Sequence, residues 1–177
     1  MTPRQIRLLH RSFASIQPLA DVVGMTFYER LFECAPQIRS MFNDDIGLQQ
    51  RKLMNFFGEF VKLNMRSLLT LPVTAASDPE VSIPGIASLA QRHTRYGVKP
   101  EHFVAAKEAL FWSFQKHLSG QLDGETMLAW SAAFDMIAES MIRVMREHAT
   151  DPVLPQWRKA PEWEVSYDAV EETLFRE

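Results

Sequence analysis

Residues 89–103 read LAQRHTRYGVKPEHF and hold the most specific structural signals in the chain. Leu89 and His93 are four residues apart, so both fall on one apolar face of a predicted amphipathic helix. Gly97 suits the left-handed cap that ends such a helix, and Pro100 suits the first turn of the next one. A lone histidine on an apolar helix face is more often structural than a ligand, so spacing alone leaves the role of His93 open.

Helix signals continue on both sides of this stretch. Thr2 followed by Pro3 is typical of an N-cap and first helical turn, and Asp123 is a second candidate N-cap. Gly24 lies inside an apolar helical stripe, where glycine costs about 1 kcal/mol relative to alanine, so we expect another helix to cross closely there. The predicted helices begin near residues 3, 19, 47, 84, 100 and 123, with a short helical turn over 36–42 and a loop over 70–82.

The composition favours an all-α fold. Strong helix formers outnumber Val, Ile and Thr about threefold, and only 7 of 177 residues are Gly. The net charge of −3 disfavours nucleic-acid binding, and no apolar run approaches the roughly 20 residues of a membrane helix. The single cysteine, Cys34, excludes an internal disulfide and a four-cysteine zinc site, and no nucleophile-elbow or phosphate-binding motif occurs. We therefore expect a cytoplasmic protein.

Four motifs, taken in order, resemble those of the globins of bacterial flavohaemoglobins and of single-domain bacterial haemoglobins. Residues 89–103 are similar to the proximal region of that family, an Ala-x-x-His followed by Lys-Pro-Glu and an aromatic residue. The other three resemble the distal tyrosine motif, the turn that ends at the haem-stacking phenylalanine, and the distal glutamine motif: residues 27–32, 36–42 and 49–54. The resemblance spans about residues 3–149 and implies a three-over-three globin fold of six to seven helices.

The resemblance implies haem b as the cofactor, with His93 as the iron ligand through one imidazole nitrogen. The other nitrogen is expected to donate to a backbone carbonyl on the same helix, for which we name Leu89. The further residues that the resemblance places against the haem are Phe42, Leu53, Tyr96, Val98 and Phe103.

On the distal side, the resemblance assigns the catalytic, ligand-facing roles to Tyr28 and Gln49. Bound O2 carries partial negative charge, so a buried hydroxyl at Tyr28 favours O2 over CO by about 1–3 kcal/mol. Gln49 adds a second donor, and Leu53, one turn later, shapes the pocket. Gln50 is the alternative to Gln49, and choosing it aims Met54 at the haem instead; the inward face that contains Leu53 favours Gln49.

Three features depart from the flavohaemoglobin pattern. We expect no counterpart of the flavin and nicotinamide reductase domains in these 177 residues, Phe103 stands where a proximal tyrosine is usual, and residues 151–177 have no assigned counterpart in the family. Glu147 is the candidate for the proximal glutamate, although a phenyl ring cannot donate to it. We predict a globin domain over residues 1–150 and a C-terminal extension that packs on the globin body or on a partner.

The leading interpretation is a haem globin that binds O2 reversibly at a five-coordinate iron, with two distal donors slowing its release. Dioxygenation of NO is the enzymatic activity that the resemblance adds, and it requires an electron donor from a separate reductase. The alternative is a haem-based gas or redox sensor whose C-terminal extension signals to a partner. The expected partners are O2, NO or another diatomic ligand, without nucleic acid or membrane, and the chain is expected to be a monomer or a homodimer.

Overall fold

The structure is a computed structural model, and it describes residues 1–42, 46–70, 85–118 and 120–149; the side chains of 67–70, 148 and 149 are not part of that description. The described residues form six α-helices and no strand, which confirms the all-α prediction. The helices are α1 (Pro3–Ile16), α2 (Ala20–Cys34), α3 (Ile46–Thr70), α4 (Ile86–Arg95), α5 (His102–Leu118) and α6 (Gly124–Ala149). Two short 3-10 helices, Gln17–Leu19 and Pro36–Met41, flank α2.

Local capping determines where several of these helices begin and end. The Thr2 hydroxyl accepts the backbone N–H of Gln5 at 3.2 Å, while the Gln5 side chain accepts the N–H of Thr2 at 2.8 Å, so α1 begins with a capping box. Asp123 Oδ1 accepts the N–H of Thr126 at 2.7 Å and caps α6. Gly97 has a φ of +80°, the left-handed conformation expected after α4. These sequence predictions are confirmed.

The six helices pack in two layers of three around one apolar core. The most extensive helix contacts join α2 with α5 and α4 with α6, and further contacts join α3 with α1 and α2, α1 with α6, and α5 with α6. Trp130 of α6 lies at the centre, with its ring 5.2 Å from that of Phe114 and 5.8 Å from that of Phe57, centroid to centroid. Its indole N–H donates to the Ser12 hydroxyl at 3.0 Å, so the one polar atom of this core side chain is satisfied.

The crossing of α2 and α3 is close because Gly24 has no side chain. A Cβ built on Gly24 lies only 3.1 Å from the Cβ of Gln50 on α3. This contact confirms that the glycine in α2 marks a helix crossing. It also fixes which residues of α3 face α2, and through them the distal part of the site described below.

None of the helices in the described residues combines the length and apolar character that crossing a membrane requires. The predicted loop over residues 70–82 lies outside the described residues from position 71 onward, and so does the C-terminal extension over 151–177. The division into a globin domain and an extension therefore stays a prediction.

Candidate functional site

His93 lies near the end of α4, and its imidazole is held from two directions. Its Nδ1 is 2.9 Å from the backbone carbonyl oxygen of Leu89, one turn earlier on the same helix. The ring of Phe103, from α5, stacks on the imidazole with 6.3 Å between centroids and 18° between planes. The bond to Leu89 is the one that the family resemblance predicts, and the Phe103 stack adds a tertiary contact that restrains the ring orientation.

The hydrogen bond to Leu89 defines the tautomer of His93. A carbonyl oxygen can only accept, so Nδ1 carries the hydrogen and donates it. Burial lowers the pKa of His93, the Leu89 bond opposes that shift, and the nearby Arg92 charge adds to it. The imidazole is therefore neutral near pH 7, and its Nε2 carries an unshared electron pair. That is the protonation state in which histidine binds a metal.

The connection after α4 contributes Val98 and leaves Tyr96 outside the packing. The N–H of Val98 donates to the His93 carbonyl oxygen at 2.9 Å, and its half-buried side chain packs against the core. Tyr96 is the C-cap residue of α4, and its side chain is 57% exposed. The described residues do not enclose the Tyr96 ring. Its contact with haem therefore stays a prediction.

Tyr28, on α2, lies in a cluster of aromatic rings. Its side chain is only 7% exposed. The ring centroid is 5.4 Å from that of Phe42, 4.9 Å from that of Phe27 and 6.0 Å from that of Phe32. Phe42 is also 5.2 Å from Phe32, so the predicted Tyr28 and Phe42 belong to one apolar cluster.

The Tyr28 hydroxyl is a buried donor that is only weakly engaged. It reaches the backbone carbonyl oxygen of Gln49 at 3.5 Å, the long limit of a hydrogen bond. Burial raises the pKa of Tyr28 to about 12, so the hydroxyl keeps its proton at physiological pH. The structure thus brings together Tyr28 and Gln49, two residues that the sequence places 21 positions apart.

The first turns of α3 distinguish Gln49 from Gln50. The Cβ and Cγ of Gln50 lie against Gly24 at the crossing of α2 and α3. Gln49 and Leu53 are half-buried one turn apart on α3, and Leu53 packs against the core beside fully buried Met54. The two glutamines therefore occupy different surroundings, with the backbone of Gln49 next to the Tyr28 hydroxyl.

One approach links the Tyr28 cluster to the His93 connection. A Cβ built on Gly97 lies 3.9 Å from the Cε of Met41, the last residue of the second 3-10 helix. Met41 precedes Phe42, and Gly97 precedes Val98, so these two predicted residues lie in segments that come close. Met41 and Phe32 were not predicted as site residues; the i, i+4 spacing of Phe32 from Tyr28 was the available signal for Phe32.

Other chemically capable side chains have different surroundings. His102 is buried, and its Nδ1 accepts the backbone N–H of Lys99 at 3.2 Å, so it serves the start of α5. The Cys34 thiol is 3.3 Å from a Glu108 carboxylate oxygen, and burial and that carboxylate raise the pKa of Cys34, which disfavours a reactive thiolate. Glu147, the candidate proximal glutamate, is exposed on α6.

A family model for globins matches residues 25–141. That range begins within α2, ends within α6, and includes Tyr28, Phe42, Gln49 and His93. The chain belongs to the globin family. The all-α, two-layer architecture is thus the three-over-three globin fold that the motifs predicted.

Two curated relatives illustrate the range of globins similar to this one. The flavohemoprotein of Rhodopirellula baltica is 24% identical over 145 residues, which are 80% of this chain and 33% of that protein. The leghemoglobin of Medicago sativa is 28% identical over 148 residues, which are 81% of this chain and 97% of that protein. This globin chain therefore spans about a third of the length of the flavohemoprotein that it matches.

A solved structure shows the same globin fold. The flavohemoglobin of Malassezia yamatoensis, whose crystal structure contains bound FAD and heme, matches with a TM-score of 0.67 at 15% sequence identity. The match covers 84% of this chain and 37% of that one.

Proposed function

We propose that this globin binds haem b through His93 and uses the bound haem to take up O2 or another diatomic ligand reversibly. The observation that carries the proposal is the state of His93. Its imidazole is neutral, its Nδ1–H is committed to Leu89, and no described residue bonds to its Nε2. His93 would hold a haem iron through Nε2, because a neutral imidazole with its other nitrogen hydrogen-bonded is the form of histidine that ligates iron.

The apolar surroundings fit a flat hydrophobic cofactor. Phe42 and Val98 are half-buried, and they lie in segments that approach each other at Met41 and Gly97. Phe103 supplies a further aromatic surface beside His93, and Leu53 is half-buried against the same core. These four side chains carry no charge, so they favour burial of a porphyrin ring over a hydrated ligand.

When bound, haem supplies an iron centre with one coordination position open to a diatomic ligand. Tyr28 contributes a protonated hydroxyl whose existing bond to Gln49 is long, so little is lost when the hydroxyl turns toward a better acceptor. The Gln49 side chain is the second proposed donor, and packing of Gln50 at the α2–α3 crossing supports that choice. Two donors stabilise a ligand that carries negative charge and leave CO nearly unaffected.

Dioxygenation of NO by this chain, with electrons from a separate reductase, is proposed from the likeness to flavohemoproteins, of which this chain matches one third. The sensor alternative depends on residues 151–177, which lie outside the described residues. Rapid loss of NO on mixing with the O2-loaded protein and a reductase supports NO dioxygenation. A rate of NO loss equal to that with haem-free protein contradicts it.

The test is absorbance spectroscopy of the purified chain mixed with haemin, in ferric, ferrous and CO-bound forms. We expect a Soret band with one haem per chain, and we expect His93→Ala to lose the native ferrous spectrum and to regain it with added imidazole. His102→Asn is the matched control because an amide can still accept the Lys99 N–H and keep α5 intact. A native spectrum in His93→Ala together with loss in His102→Asn contradicts the assignment.

A further inference from the structure

An apolar groove runs between α5 and α6 beside Phe103. Its volume is about 200 Å³. Three charged residues, Lys107, Asp135 and Glu139, lie among its lining, and Lys107 Nζ binds Asp135 Oδ1 at 2.6 Å. The apolar lining consists of Pro100, Phe103, Val104, Phe134, Ala138 and Ile142.

No described residue covers the groove, as the exposure of Val104 indicates. Its side chain is 72% exposed, more than any other large apolar side chain that the structure describes. The groove is smaller than the roughly 300–1,000 Å³ typical of a small-molecule site, so single side chains of a polypeptide fit it better than a metabolite. We propose that residues 150–177 of the same chain dock in this α5–α6 groove, with Trp157 as the anchor.

The composition of the segment supports this occupant. Residues 150–177 contain two of the four tryptophans of the chain, Trp157 and Trp163, together with Tyr167 and Phe175. Burial of one such ring removes roughly 150–250 Å² from water. The groove, with Val104, offers apolar surface on α5 and α6. The segment follows directly after α6 in the sequence.

The length of the segment also matches the groove. The groove residues Ile142 and Phe134 lie 7 and 15 residues before Ala149, the end of α6, which is about 10 to 22 Å at 1.5 Å per helical residue. A chain segment can span at most about 3.3 Å per residue, so the eight residues from Ala149 to Trp157 reach up to about 26 Å, which is enough to bring Trp157 to any part of the groove.

The charges next to Trp157 complement those of the groove. Arg158 and Lys159 follow it directly. Glu139 is exposed at the groove and has no ion-pair partner among the described residues, while Asp135 is already engaged by Lys107. A cation beside Trp157 therefore finds an available carboxylate when the ring docks.

Chemical crosslinking of the full chain tests the proposal directly. In a Cys34→Ser background, cysteines are placed by Val104→Cys in the groove and by Gln156→Cys beside the anchor, and a short bismaleimide is added. The control pair replaces Val104→Cys with Leu128→Cys, because Leu128 is 69% exposed on α6 and does not line the groove. We expect a crosslinked monomer to form at least fivefold faster than in the control. Equal rates overturn the proposal, and a crosslinked dimer assigns the groove to a second copy and overturns it as well.

Hydrogen exchange supplies a second measurement that needs no new thiol. Val104→Glu places a charge in the groove at an exposed position, so the helices remain folded, which circular dichroism checks. We expect residues 150–177 to exchange at least fivefold faster in Val104→Glu and in Trp157→Ala than in the unaltered protein or in Leu128→Glu. Equal exchange in Val104→Glu and Leu128→Glu contradicts docking at this groove. Neither experiment depends on haem, so the result is separate from the proposed function.

Discussion

The ring of Phe103 lies 6.3 Å from the imidazole of His93, centroid to centroid, with 18° between the two planes. Its position on α5 makes it the tertiary partner of a histidine whose other contact, to Leu89, is local to α4. A phenyl ring offers no hydrogen-bond donor or acceptor. The proposed iron ligand, His93, is therefore oriented by ring packing and by a neutral carbonyl. Neither of these two contacts is a carboxylate, which would increase the basicity of the imidazole.

Phe103→Ala removes that packing. We expect the free energy of unfolding to fall by about 2–3 kcal/mol, at or below the usual range for a buried phenylalanine because Phe103 is only half-buried. In haem-loaded protein, loss of the stacked ring broadens the iron–histidine band in the ferrous Raman spectrum.

Phe103→Tyr is the matched control for this prediction. It keeps the aromatic ring that stacks on His93 and adds only a hydroxyl group. We expect a change in unfolding free energy of about 1 kcal/mol or less and a narrow iron–histidine band. An identical band width in Phe103→Ala and in the unaltered protein shows that the stack does not position His93.

Tyr28→Phe removes one buried donor and keeps the ring in its aromatic cluster. We expect O2 to dissociate roughly ten- to a hundredfold faster, which corresponds to the loss of about 1–3 kcal/mol from one hydrogen bond. CO dissociation is expected to change much less, because bound CO is a poor acceptor. Stopped-flow measurement of both rates checks this. Equal effects on O2 and CO indicate that Tyr28 acts by shape alone.

The order of the helices was predictable because helix starts and ends depend on local sequence. The capping box at Thr2 and the left-handed Gly97 each involve residues within one turn of the helix end. The bond of His93 to Leu89 was expected from the family resemblance, and it is also a local contact because the two residues lie four positions apart on one helix. Signals of this kind survive without any knowledge of tertiary packing.

The contacts that the sequence did not predict are tertiary ones. The approach of Met41 to Gly97 joins two segments more than 50 residues apart, and no local pattern encodes it. The exposure of Tyr96 depends on which way the chain turns after α4. The choice between Gln49 and Gln50 was open for the same reason, because only the crossing of two helices distinguishes adjacent residues.

Substitution of the two glutamines tests that choice. Gln49→Leu is expected to speed O2 dissociation by about three- to tenfold, since one neutral hydrogen bond contributes about 0.5–1.5 kcal/mol. Gln50→Leu, whose Cβ keeps the contact with Gly24, is expected to leave the O2 rate within about twofold. A larger effect of Gln50→Leu than of Gln49→Leu reverses the assignment.

The buried Tyr28 hydroxyl also predicts how stability depends on alkaline pH. Burial raises the pKa of Tyr28 to about 12 from its ordinary value of 10.0. As pH rises above 10, the unfolded chain therefore releases this proton while the folded chain retains it, and the free energy of unfolding falls until pH reaches about 12. A shift of two pKa units lowers the free energy of unfolding by about 2–3 kcal/mol at most.

Urea unfolding between pH 9 and 12 measures the slope of this free energy against pH. Tyr28→Phe is expected to lose it, and Tyr96→Phe to retain it because the Tyr96 side chain is 57% exposed. The same slope in all three proteins assigns the alkaline destabilisation to another group.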